Sequence, residues 1–202
     1  ILGFILISGI LIIGLITLTG LGARLSSIII EVSGGILPIV LGLSIILAII
    51  LGMGMPSSGA YIIMSTLLVP GIINMDVSVI QAHMFVFYFT GLSSITPPVG
   101  IAAYAAAGIS GADPWKTGLD AFMLGIAAYI VPVVFIYNPA LLFVGTTTEI
   151  LISVLTTGIG LYALASAIQG WMKCKINNYE RISLFLAAIL LIIPGIFTNG
   201  LG

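Results

Sequence analysis

The sequence predicts an all-α polytopic membrane protein organised around a re-entrant helical hairpin and a discontinuous transmembrane helix. Three observations carry this. Of 202 residues, 60% are apolar and only 5 Lys+Arg and 6 Asp+Glu are charged, against roughly a quarter charged in a soluble domain. Two charge-free stretches are too long for one crossing. Each is interrupted near its centre by Gly, Pro and hydroxyl residues, at Gly52-Met-Gly-Met-Pro-Ser-Ser58 and at Ser93-Ser-Ile-Thr-Pro-Pro-Val-Gly100.

A helix of about 20 residues crosses a hydrocarbon core of about 30 Å. Residues 1–23 suit one such crossing, and they lack the basic start of a secretory signal and an initiating Met. Glu31 to Asp76 then encloses 44 uncharged residues, a straight helix of about 66 Å. This run is expected to fold as a hairpin over 34–73, with arms 34–52 and 57–73 and its tip at Gly52–Ser58. Asp76 to Asp113 encloses 36 uncharged residues, about 54 Å as one helix. It is expected to be a broken helix over 78–109, with halves 78–93 and 99–109 and an unwound Ser94–Pro98. Pro97 and Pro98 have no amide proton, and each pushes its predecessor out of helical geometry, so carbonyls freed upstream need other donors.

Asp113-Pro114-Trp115-Lys116 has the form of an N-cap with Pro at the first helical position, opening a helix over 114–137. Thr146-Thr-Thr-Glu149 likewise starts a helix, and 150–172 and 182–202 each suit one crossing. A division near Asn138-Pro139 separates a segment 1–137, holding hairpin, broken helix and helix 114–137, from extra transmembrane helices in 138–202. The chain starts and stops without a polar tail, as expected of a piece from inside a longer protein.

With a returning hairpin, Lys116, Lys173, Lys175 and Arg181 share one side, and Arg24 lies opposite with Glu31, Asp76 and Glu149. The positive-inside rule makes the first side cytoplasmic, and Trp115, Trp171 and Tyr179 flank it as interfacial anchors. A net charge of −1 without a basic run argues against nucleic acid as a partner. The lone Cys174 excludes a disulfide framework.

Broken helices at membrane depth are tolerated where they line a polar cavity, because an unpaired backbone group facing lipid costs several kcal/mol. Hydroxyls at Ser57, Ser58, Ser93, Ser94 and Thr96, with the freed carbonyls, make a hard-oxygen environment suited to sodium. Helix N-termini near Ser57 and Val99 suit a carboxylate. Transporters built on half-helices use this combination. The plainer alternative is that Gly and Pro only kink packed helices while the serines bond back to their own turn.

Proton coupling needs an ionisable group inside a span. The acids, lysines and arginines fall in loops or toward helix ends, Asp120 being the deepest, so sodium is the expected coupling ion. His83 shares a face with Phe87, Thr90 and Ser94, where it either lines a substrate path or bonds between helices. Tyr61, Tyr88 and Tyr104 carry the same two readings. The small-residue stripe Ala102, Ala103, Ala106, Ala107 suits close helix packing. No dinucleotide fingerprint or intramembrane acid pair is present, so no enzyme activity and no cofactor are expected. A serine hydrolase lacks a base beside its nucleophile in sequence.

Gly52-Met-Gly-Met-Pro56, His83-Met-Phe-Val-Phe-Tyr-Phe89, Thr96-Pro-Pro-Val-Gly100, Ala102-Ala-Tyr-Ala-Ala-Ala-Gly108 and Gly111-Ala-Asp-Pro114 together resemble the large membrane subunit of tripartite ATP-independent periplasmic (TRAP) transporters. Tyr137-Asn-Pro-Ala-Leu-Leu142, Gln169-Gly170 and Glu180-Arg181 are similar to the branch in which small and large membrane subunits are fused. The resemblance covers nearly the whole chain. It implies sodium-driven uptake of an organic acid delivered by a periplasmic solute-binding protein, in a bacterial or archaeal cytoplasmic membrane. It also implies an elevator-type mechanism and two inverted repeats, of which this chain holds one, the N-terminal half of the permease lying outside it. On the matching motifs, Gly52, Gly54, Pro56, Ser57 and Ser58 would form the hairpin-tip side of an ion and substrate site. Ser94, Thr96, Pro97 and Gly100 would form the unwound side, with sodium held through Ser57 and Thr96. The alternatives are a sodium or proton symporter that needs no binding protein and, from another class, an intramembrane hydrolase.

Overall fold

A computed structural model describes residues 11, 13–172 and 174–192. Among these residues ten α-helices follow one another: α1 (Ile13–Thr19), then α2 (Leu21–Ser33), α3 (Leu37–Gly52), α4 (Ser57–Ile73), α5 (Val79–Leu92), α6 (Ile101–Ser110), α7 (Pro114–Gly125), α8 (Val131–Tyr137), α9 (Thr147–Gln169) and α10 (Asn178–Ile192). No strand occurs among the described residues beyond one isolated bridge, Trp171 to Lys175. Among the described residues two helical stretches are long and apolar enough to cross a membrane, Pro114–Tyr137 and Thr147–Gln169, or three if the bent pair α1 and α2 is one span. The chain is thus an all-α membrane protein.

The surface supports this assignment physically. On α9 the exposed side chains Leu151, Leu155, Ile159 and Tyr162 recur at helical spacing, while Ser153, Thr157, Gly160 and Ala167 are buried. Large apolar groups outside and small ones inside is the pattern of helices packing within lipid, where close backbone approach replaces the hydrophobic drive. A Cβ on Gly160 would lie 2.7 Å from Ile192 Cγ1 and 3.3 Å from the Ala188 carbonyl, so α9 and α10 pack backbone to backbone there.

Two compact units divide between Phe122 and Met123. In the first, α2 to α5 pack around Met64, Leu68, Ile72, Phe85 and Phe89, all fully buried, with Phe85 and Phe89 edge to face at 5.0 Å. In the second, α8, α9 and α10 close on Val134, Ala163, Leu164, Ala188 and Ile192.

The expected crossing over 1–23 is revised where it can be seen. Residues 1–10 lie outside the described residues, and the rest bends by 64° between α1 and α2. Gly20 makes the bend in the left-handed region at φ 65. The segment holding Arg24 and Glu31, to which the sequence assigned no element, is helical because Gly22, Ser26, Ile29 and Ser33 form a buried stripe at the 4-3-4 spacing of one helix face.

The α3–α4 hairpin has arms of 16 and 17 residues, about 24–26 Å each, short of a full hydrocarbon core of about 30 Å. Pro38 sits in the first turn of α3, where its missing amide costs nothing. Pro70 lies inside α4 and cannot donate to the Thr66 carbonyl. That carbonyl faces α2, 2.6 Å from where a Cβ on Gly22 would be, so only glycine fits opposite it.

Thr157, on the buried face of α9, leaves its hydroxyl without a hydrogen-bond partner among the described residues. An unsatisfied buried hydroxyl costs about 1–3 kcal/mol. Thr157→Val, nearly isosteric, should therefore raise the thermal inactivation midpoint of the detergent-solubilised protein, by an amount equivalent to about 1 kcal/mol. An unchanged or lowered midpoint would mean that the hydroxyl is satisfied.

Candidate functional site

The sequence interruptions become two breaks in the first unit, and the fold brings them together. The hairpin tip spans Met53–Pro56 between α3 and α4. The second break follows α5, where Ser93–Ile95 tighten into a 3-10 turn and Thr96–Gly100 run irregularly to α6. The Ser93 hydroxyl lies 3.3 Å from the Gly52 carbonyl, sharing its single proton between that oxygen and the nearer Thr90 carbonyl at 2.8 Å. A Cβ on Gly54 would touch Val99 Cγ1 at 3.9 Å. A Cβ on Gly52 would be 2.5 Å from Ser93 Oγ and 2.6 Å from Met64 Cε, so the chain here has room for hydrogen alone.

Prolines cause both breaks in the same way. In a continued helix the Gly52 carbonyl would accept from residue 56, which is Pro and has no N–H. It accepts instead from the Met55 amide at 3.4 Å and from Ser93. Gly54 lets the tip turn at φ 76. At the second break Pro97 cannot serve the Ser93 carbonyl, which takes the Thr96 amide at 3.3 Å. Pro98 leaves the Ser94 carbonyl with no α-helical donor. The last carbonyls of α5 are taken by hydroxyls: Thr90 O from Ser93 at 2.8 Å, Gly91 O from Ser94 at 2.6 Å, and Leu92 O from Thr96 at 2.6 Å.

Ser93, Ser94 and Thr96 thus do bond back to their own turn. A hydroxyl that gives its proton to a carbonyl keeps its oxygen lone pairs, so this bonding does not consume the oxygens as acceptors. Thr96 and Ser93 are buried, and Ser94 and Pro97 are partly so. Gly100 is buried against the unwound chain, where a Cβ would press at 3.3 Å on the Ser94 carbonyl oxygen.

Across the tip, Ser57 and Ser58 are exposed on the first turn of α4. Pro56 and Gly100 are the N-cap residues of α4 and α6, and neither helix has a side-chain cap. Their first intrahelical bonds are Ala60 N to Pro56 O at 3.0 Å and Tyr104 N to Gly100 O at 2.9 Å. The amides of residues 57–59 and 101–103 therefore have no acceptor within their helices, a positively polarised pair of helix starts. By contrast, side chains cap α5 at Ser78 and α9 at Thr146, and Asp113 Oδ1 accepts from the Lys116 amide at the start of α7.

His83 bonds to a tyrosine on the neighbouring helix. Its Nδ1 lies 2.8 Å from the Tyr61 hydroxyl, and Tyr61 packs edge to face on Phe87 at 5.5 Å. This joins the second hairpin arm to the first half of the broken helix, the interhelical alternative of the two weighed for His83. Tyr104 also has a definite role: its hydroxyl donates to the Pro98 carbonyl. Its ring is 3.2 Å from where a Cβ on Gly118 of α7 would be. In the alanine stripe, Ala103 and Ala107 are buried while Ala102 and Ala106 are exposed. Met64 and Gly118 were not singled out by sequence. A glycine inside a helical pattern was the only sign at Gly118, and nothing marked Met64. No His, Cys, Asp and Glu cluster suited to a transition metal occurs among the described residues.

Apolar helices, a hairpin of short arms and a second helix broken beside its tip are features found in membrane transporters built on half-helices. The chain belongs to the family described as Tripartite ATP-independent periplasmic transporter, DctM component, which residues 1–150 match. No curated protein and no solved structure matches the chain. Membership makes it part of a TRAP secondary transporter, a transport rather than an enzyme family.

Proposed function

We propose that the chain carries one half of the ion and substrate site of a sodium-coupled importer of organic acids, fed by a periplasmic solute-binding protein. The observation that carries this is the meeting of the two breaks at Gly52 and Ser93. The reading is supported by the oxygens of both breaks and the uncapped amides of α4 and α6 belonging to the two segments that meet there. Sodium would sit among neutral oxygens of the tip and the unwound segment, with Ser57 and Thr96 as side-chain ligands and the Ser94 carbonyl beside them. The substrate carboxylate would face the amides at the starts of α4 and α6. Hairpin and broken helix would travel together in an elevator-type movement. The Tyr61–His83 bond supports this, since it ties them into one body.

The deciding experiment is uptake of labelled carboxylates by the intact protein in proteoliposomes, with its cognate binding protein, with and without an inward sodium gradient. Uptake is expected only with both. Uptake without the binding protein would favour an independent symporter, and uptake following a proton gradient would remove sodium. Ser57→Ala and Thr96→Ala should each raise the sodium concentration for half-maximal uptake about fivefold or more, as loss of about 1 kcal/mol of ligation implies. An unchanged sodium dependence in both, at normal protein level, would take these residues out of the ion site.

A further inference from the structure

The α9–α10 connection lies outside the machinery of the two breaks, and its chemistry points to a different ligand. After α9 the chain turns through Gly170 at φ 70, and Arg181 of α10 reaches back to the end of α9. Its Nε donates to the Ala167 carbonyl at 2.8 Å and an Nη to the Ile168 carbonyl at 2.9 Å. A guanidinium carries five N–H donors, so three remain. The neighbouring Glu180 carboxylate is engaged elsewhere, accepting from the Asn177 amide at 2.9 Å. Lys175 is exposed in the same loop, and the stretch Gly170–Asn177 contains no acid.

Arg181 stands at one end of an open groove of about 400 Å³ whose other walls are apolar, among them Met123, Ala167, Ile182, Phe185 and Leu186. Trp171 and Tyr179, both exposed, mark this end as membrane interface. A cationic head over an apolar trough at that depth fits an amphiphile with a negative head. An apolar helix laid there would bury the remaining guanidinium donors without a partner.

We infer that this groove binds an anionic phospholipid, its phosphate on Arg181 with Lys175 nearby and one acyl chain along Ile182, Phe185 and Leu186. The second cation selects a lipid of net negative charge over a zwitterionic one. The expected side is cytoplasmic, where anionic lipids attract basic segments.

The test is native mass spectrometry of the intact protein released from nanodiscs of equal phosphatidylglycerol and phosphatidylcholine. A photoreactive residue at Phe185 reports what lies in the groove. Wild type should retain phosphatidylglycerol preferentially, and Lys175→Gln should lower that preference about fivefold, the scale of one interfacial cation. Arg181→Gln should lower it at least as much. Because Arg181→Gln also removes two bonds to α9, Lys175→Gln and the Phe185 label decide the matter if that variant does not fold. The label should be recovered on lipid. Equal retention of both lipids, unchanged preference in Lys175→Gln, or a label recovered on a protein segment would each overturn the assignment.

Discussion

Gly52→Val should reduce uptake by the intact protein about tenfold or more, with normal insertion into the membrane. Even a Cβ at this position would stand 2.5 Å from Ser93 Oγ, 2.8 Å from Ser93 Cβ and 2.6 Å from Met64 Cε. Met64 can swing its terminal methyl aside. Ser93 cannot move as easily, because it closes α5 and its hydroxyl holds the Thr90 carbonyl. The hairpin tip must then part from the unwound segment, breaking the Ser93–Gly52 bond and separating the oxygens at the two breaks. Overpacking of this kind costs about 1–3 kcal/mol, and a tenfold loss needs about 1.4 kcal/mol. A compensating pair separates this cause from general misfolding. Gly52→Ala with Ser93→Gly removes both Ser93 clashes and leaves only the flexible Met64 end, so it should recover part of the uptake that Gly52→Ala alone loses. With Ser93→Gly alone as the control for the lost hydroxyl, no recovery over Gly52→Ala at equal protein level would show that overpacking at this point is not what limits transport.

The positions of the breaks were legible because charge is so rare in this chain. Two uncharged runs exceeded any single crossing, and proline chemistry located the interruptions. The hairpin arms expected at 34–52 and 57–73 are observed at Leu37–Gly52 and Ser57–Ile73, differing only at an N-terminus where Gly34, Gly35 and Ile36 carry no capping side chain. The unwound segment runs to Gly100 rather than Pro98, since Gly100 lies against the Ser94–Ile95 backbone before α6 can begin.

What stayed hidden was pairing. Ser93 was one hydroxyl among several until Pro56 is seen to free the Gly52 carbonyl beside it, a contact 41 residues apart in sequence. Tyr61 and His83 are likewise 22 residues apart, and nothing in either local pattern names the other. Residues 21–33 are helical despite Arg24 and Glu31, and the signal for it is the small-residue stripe Gly22, Ser26, Ile29, Ser33, in which only Ile29 is a large apolar side chain. Ion specificity is a further step removed, because hydroxyl and carbonyl oxygens define a donor type and the sodium response of uptake must define the ion.

An oxidised Ser26→Cys/Gly71→Cys pair, in a background with Cys174→Ser, should block uptake about tenfold or more, and reductant should restore it. A Cβ built on Gly71 lies 3.4 Å from Ser26 Cβ, at the short edge of the 3.5–4.5 Å or so found in disulfides, so the bond should form readily. The seam it crosses has a particular character. Gly22, Ser26 and Gly71 are small, and the Thr66 carbonyl that Pro70 leaves free lies against Gly22. Among the described residues one long side-chain hydrogen bond spans it, Ser26 Oγ to the Leu67 carbonyl at 3.4 Å. A smooth surface held by so few directed bonds suits sliding, whereas the Tyr61–His83 bond and the Gly52–Ser93 contact hold hairpin and broken helix together. If α2 is the static side of the proposed elevator, fixing Ser26 to Gly71 stops the carrier while leaving the two breaks intact, so sodium protection of the site from a cysteine reagent placed at Ser58 should persist. If the cross-linked protein transports at the wild-type rate, α2 travels with the hairpin and the moving boundary lies elsewhere.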